Sequence, residues 1–102
     1  MPELTVIFWR SVPAQITARD GSSSARVKLS DRFEKAIDAA AMKAGLLGQD
    51  EYLAEWRQVT RPCGGDLERE LSDEAARIES EFTTEVLRRL VRSAGVGDNP
   101  GK

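Results

Sequence analysis

No histidine occurs anywhere in the 102 residues. Its absence removes the side chain most often used for acid–base work near neutrality, and with it the commonest metal ligand. Cysteine occurs once, at Cys63, so the chain forms no internal disulfide and has none of the paired-cysteine spacings of zinc sites. No cofactor or metal is therefore expected. Apolar runs are short, well below the ~18 residues that a membrane helix needs. The first ten residues, MPELTVIFWR, have neither the basic start nor the apolar stretch of a secretory leader. A cytoplasmic location with no membrane partner is the expectation.

Charge of one sign is also lacking. Fifteen basic residues stand against seventeen acidic ones, a net charge of −2. Nothing in that balance draws the chain to nucleic acid, which is not an expected partner. The distribution is uneven: residues 1–45 hold seven basic and five acidic residues, residues 46–102 eight and twelve. An anionic partner would find the first part more favourable.

What is present is a globular composition, 40% hydrophobic and 31% charged. The expectation is a single α+β domain over residues 3–92, followed by a disordered tail over 95–102 with three Gly and one Pro. Residues 3–10 are β-branched and aromatic and predict a strand. Pro13 predicts a turn over Ser11–Ala14, because it fixes its own φ and drives Val12 toward an extended conformation. Gln15–Arg19 reads as the return strand, Asp20–Ser24 as a polar turn, and Arg26–Leu29 as a short third strand. These two or three strands would form an antiparallel meander, with three or four helices packed on one face.

The first helix is expected from Asp31, with Asp31 and Glu34 at capping-box spacing. Its apolar stripe is Phe33, Ile37, Ala41 and Ala44, and Gly45 is its stop. A second helix is predicted from Asp50, with Tyr52, Leu53, Trp56 and Val59 inward, ending before Pro62. Residues 61–65 read as a loop. From Asp66 a longer helix carries Leu67, Leu71, Ala75, Ile78 and Phe82 on one side. Its carboxylates, among them Glu74 and Glu79, are assigned to the solvated side, with Asp73 and Arg77 as an i,i+4 pair. A recap at Thr83 or Thr84 leads into a last helix through Val86, Leu87, Leu90 and Val91.

The stretch from Trp9 to Gln15 gathers an aromatic, a guanidinium and an amide around a proline turn. Such a group suits recognition, since Arg10 can fork onto a carboxylate or phosphate and Trp9 can anchor an interface. The competing role is internal: Trp9 under a helix, and Arg10 paired to an acid of the C-terminal half. Arg26 and Lys28 lie beside the serine-rich turn and extend the candidate binding surface, with a simple solvated face as the competing and preferred role. Cys63, between Pro62 and two glycines, is a candidate reactive thiol at a helix start, though no imidazole is present to activate it. Gly64 and Gly65 could also offer amides to an anion, but lack the strand–loop–Lys context of a phosphate loop.

Four segments together carry a family resemblance: FWRSVPAQI at 8–16, DRFEKAIDAAAMKAG at 31–45, DEYLAEW at 50–56 and PCGGDL at 62–67. Across residues 3–92 the chain resembles a small bacterial family labelled "virulence factor". It is also similar to the C-terminal part of the larger conserved virulence factor C. Phe8 and Ser11 stand where the resemblance leads one to expect Tyr and Asp. It implies no reaction. It does imply an accessory role beside folate- and corrinoid-dependent one-carbon enzymes. From the missing imidazole and second thiol, and from the cluster between Trp9 and Gln15, the expected function is a non-catalytic accessory or protein-interaction domain that binds another protein or complex subunit. The alternative is a small-ligand or enzyme-subunit role in that one-carbon chemistry.

Overall fold

The computed structural model describes residues 2–45 and 49–95. The chain order is β1 (Glu3–Trp9), β2 (Val12–Asp20), β3 (Ser23–Lys28), α1 (Asp31–Ala44), α2 (Gln49–Ala54), β4 (Trp56–Pro62), α3 (Leu67–Glu81) and α4 (Thr84–Arg92). The strands make one antiparallel sheet in the order β3-β2-β1-β4. The meander from the first three segments is present. A fourth strand joins it from the far side of α2.

That fourth strand corrects the sequence reading. Trp56 and Val59 are not on a helix, because α2 stops at Ala54 and β4 pairs with β1 along its whole length. The spacing of residues 52, 53, 56 and 59 fits a helical stripe. Locally only the β-branched pair Val59 and Thr60 favours a strand, and it is the pairing with β1 that decides.

The β1–β2 connection is tighter than expected. Trp9 pairs with Val12, leaving a two-residue loop of Arg10 and Ser11. The register then shifts between Ile7 and Phe8, where Ala14 is the extra residue on β2. Such a bulge is where a strand tolerates proline. Because β3 ends opposite Gln15, Pro13 pairs only with β1.

Leu4 faces Ala18 and Val6 faces Ile16, and all four are buried. Helix α3 packs over β2 and β3, with Leu71 and Ile78 buried. Helix α1 packs on β2 and against α4 through Phe33, Ala36, Ile37, Ala40 and Ala41. Its three buried alanines leave little side chain to keep the helices apart. Adjacent strand residues point to opposite faces, yet Val12 and Pro13 are both fully buried. The sheet is therefore covered on both sides at this end, not on one face alone.

Caps follow the sequence with one exception. Asp66 accepts from the Arg69 amide, Thr83 from the Val86 amide, and Gly45 closes α1 at φ 74°. At the start of α1 the N-cap is Ser30, one residue before the expected box. Its hydroxyl and amide both donate to Glu79 of α3, at 3.0 and 2.8 Å. Arg32 adds bonds to the Glu79 carboxylate (2.9 Å) and to the carbonyls of Glu79 and Phe82. Burial tends to raise the Glu79 carboxyl, but the Ser30 amide and hydroxyl and Arg32 together hold it below the usual range. Of the expected tail, Gly95 alone is among the described residues. It is anchored, its carbonyl accepting from the Ser11 amide at 2.9 Å. Residues 96–102 lie outside the described chain.

Candidate functional site

The turn that concentrates unusual residue types folds inward. Trp9 has no exposed surface, stacks on Tyr52 at 5.6 Å, and donates its indole N–H to the Tyr52 carbonyl at 3.0 Å. Tyr52 meets Trp56 edge-on, at 6.0 Å and 80°. The three aromatics thus join β1, α2 and β4. On the remaining side lies Gly95, where a Cβ would come within 2.8 Å of the Trp9 ring.

Arg10 adopts φ 54°, a left-handed backbone at the first position of the hairpin loop. Glycine is favoured there, and a side chain costs roughly 1–2 kcal/mol. Several contacts hold it. Its amide donates to the Glu55 carbonyl (3.1 Å) and its Nη1 to the Ala94 carbonyl (2.8 Å). Nε lies 3.2 Å from Glu55 Oε1, an ion-pair contact without hydrogen-bond geometry. Its own carbonyl accepts from Arg57 Nε at 3.0 Å. The guanidinium is spent on the chain's own groups, Glu55 between α2 and β4 and Ala94 just beyond α4, while the Arg10 carbonyl ties the turn to β4.

This makes a prediction that separates backbone from side chain. Arg10→Ala loses the contacts and keeps the left-handed strain, whereas Arg10→Gly loses the contacts and relieves it. The glycine variant is expected to be the more stable by about 1 kcal/mol in urea unfolding. Equal midpoints would mean that the turn relaxes to another conformation.

Gln15 and Lys28, cross-strand partners, lie elsewhere. They border a cleft of about 200 Å³ with Glu34 and Asp38 of α1, and with Tyr52 and Trp56. Lys28 pairs with Glu34 at 2.9 Å. A second, more open hollow of about 420 Å³ lies against Arg10, Glu55, Trp56 and Arg57. Trp56 is a wall of both. Arg26 is exposed on β3 opposite Thr17 and lines neither hollow. The structure therefore divides the candidate binding residues into an internal pair, Trp9 and Arg10, a cleft pair, Gln15 and Lys28, and the separate Arg26.

Cys63 is half-exposed, and its amide donates to the Pro2 carbonyl at 3.1 Å. Burial, then the nearby Glu70 carboxylate, pushes the thiol up, away from the thiolate that a nucleophile needs. Glu70 also lies against Gly64, where a Cβ would meet its Oε2 at 2.8 Å. The chain's own carboxylate thus stands beside Gly64, where it would repel a bound anion. Among the described residues no group of three or more acidic or cysteine side chains is placed to hold a metal. No described helix is long and apolar enough to cross a membrane.

Sequence reasoning missed the outer edge of β4. Arg10 N–H bonds to Glu55 at one end and Cys63 N–H to Pro2 at the other. Bonds to β1 recur at every second residue in an antiparallel pair. Residues 57, 59 and 61 therefore turn their backbone to β1, and Trp56, Gln58 and Thr60 turn theirs outward. Six of the seven residues of β4 are exposed, Val59 at 47%. Among the described residues, β1 is the one element against which β4 packs extensively.

An α+β domain with an open sheet edge and a buried aromatic turn is the class that fold and site define. The family model described as "Virulence factor" matches residues 7–91, and the chain belongs to that family. No curated protein and no solved structure matches it.

Proposed function

We propose that the chain is a non-catalytic accessory domain that binds another protein by accepting an extended segment of it along the outer edge of β4. The observation that carries this reading is the edge itself, with three alternate residues offering backbone donors and acceptors to solvent. Strand addition draws affinity from main-chain hydrogen bonds and specificity from alternate side chains. Arg57 and Arg61 flank Val59 on one side of the strand. They favour a partner segment with an apolar residue between acidic ones. Pro62 has no N–H and closes the edge, and with the two arginines it discourages indiscriminate pairing. The family description names a phenotype rather than a reaction, so the accessory role rests on this edge.

Hydrogen exchange tests it. In the free protein the amides of Gln58 and Thr60 are expected to exchange far faster than those of Arg57 and Val59, and to become protected in the complex. The partner is obtained by affinity purification from the chain's own cell extract. Gln58→Pro removes an outward donor and no bond to β1. It is expected to weaken that complex about tenfold and to leave the melting temperature nearly unchanged. Undiminished binding by Gln58→Pro would refute the edge as the contact.

A further inference from the structure

The cleft between the start of β2, the end of β3, α1 and α2 has a lining of which the strand-edge reading uses only the Trp56 backbone. Tyr52 and Trp56 stand at 80° to each other and form two aromatic walls. Glu34 and Asp38, one helical turn apart on α1, supply carboxylates, and Gln15 supplies an amide. Leu29 and Ile37 are part of its apolar lining. Lys28 neutralises Glu34 at 2.9 Å, while Asp38 has no ion-pair partner among the described residues. Two carboxylates and one ammonium leave the cleft one negative charge over. The Tyr52 hydroxyl registers that field: burial first, then Asp38 and Glu34, push its ionisation up.

We propose that this cleft is a binding site for an organic ammonium group, held against the faces of Tyr52 and Trp56 with Asp38 as its counter-ion. Aromatic faces attract cations through their quadrupole, and two such faces beside a carboxylate are the usual chemistry for alkylated ammonium ions. At about 200 Å³ the space lies below the ~300–1,000 Å³ of sites for larger ligands. It suits a headgroup rather than a whole cofactor. The group can come from a small free amine or from a lysine side chain, methylated or not, on a partner.

The test uses the full chain and ¹H–¹⁵N NMR, following the Trp56 indole and the Gln15 side-chain amide. The Trp9 indole, held by the Tyr52 carbonyl, serves as an internal reference. Choline is the first probe, and 3,3-dimethylbutanol, its neutral isostere, is the second. Choline is expected to shift both resonances with a millimolar Kd and the isostere to shift neither. Nα-acetyl-trimethyllysine amide and Nα-acetyl-lysine amide, run alongside, separate a free small cation from a lysine side chain as the source. Asp38→Asn, a change at an exposed helix position, is expected to weaken choline about fivefold or more. Lys28→Met removes the internal competitor and is expected to strengthen it. Equal shifts from choline and the isostere would reduce the cleft to an apolar hollow and overturn the proposal. No shifts from any probe, or unchanged affinity in both variants, would overturn it as well. None of these outcomes depends on the β4 edge.

Discussion

Trp9→Ala is expected to lower the melting temperature by about 15–30 °C, the largest effect of any single substitution proposed for this chain. Truncating a buried tryptophan typically costs about 3–5 kcal/mol through lost transfer energy and the cavity left behind. A domain of this size shifts by roughly 4–8 °C per kcal/mol. Trp9 meets the conditions for the upper part of that range. Its ring is fully buried, it stacks on Tyr52, and its N–H satisfies the Tyr52 carbonyl at the end of α2. Gly95 has no Cβ that could follow the ring inward, so the hole would not close from that side. Alanine also removes the shorter of the two bonds to the Tyr52 carbonyl, leaving it the Glu55 amide at 3.3 Å. Because total stability is only about 5–15 kcal/mol for such a domain, a large share of it rests on one residue. Far-UV circular dichroism melts of the two proteins decide the matter. A drop under about 5 °C would mean that the aromatic group is peripheral.

The same residue shows what could and could not be read from the sequence. Its position at the end of a β-branched run placed it on a strand correctly. Alternation put it with Thr5 and Ile7, which are half-exposed, and so left its surroundings undetermined. What covers it includes Tyr52 and Gly95, far off in the chain. No local pattern encodes such a meeting. Elements fixed by local chemistry were legible: β1, the α1 stripe with Gly45, the α3 stripe behind Asp66, and the recap at Thr83. β4 was not, because Trp56 and Val59 continue a helical spacing begun at Tyr52, and only pairing with β1 selects the strand. Pro13 concealed the first half of β2, since a bulge next to a tight hairpin turns a breaker into a strand residue. In the candidate site, Gln15 and Lys28 were singled out individually. Their shared cleft with Glu34, Asp38 and Tyr52 needed the β2–β3 register and the approach of α1. Glu74 was legible in principle. It lies three residues after Leu71 and four before Ile78, on the apolar stripe and not opposite it.

Glu74→Gln is expected to lower the melting temperature at pH 7 by about 5–15 °C, and that deficit is expected to shrink as the solution is acidified. The Glu74 side chain is only 7% exposed. It accepts from Arg77 on its own helix and from Arg61 of β4 at 3.2 Å. It therefore ties the edge strand to α3. Hydrogen bonds to a charged group are worth roughly 1.5–3 kcal/mol, and the lower part applies because both arginines are half-exposed and can rehydrate. The bond from Arg77 holds the Glu74 carboxyl below its usual range against the opposing effect of burial. In the unfolded chain that carboxyl titrates near ~4.3. Between the folded and unfolded values the unfolded state binds more protons, so stability rises with pH across that window. The contribution is fully present above the unfolded value and is lost as pH falls through the folded one. Glutamine carries no such dependence. Glu79, depressed in the same direction, titrates in both proteins and cancels in the comparison. Melts of the two proteins at pH 3, 4, 5 and 7 should show a constant gap at pH 5 and above that narrows toward pH 3. A gap that widens on acidification would mean that burial of the carboxylate outweighs its two arginines, and the link between β4 and α3 would then have to be apolar.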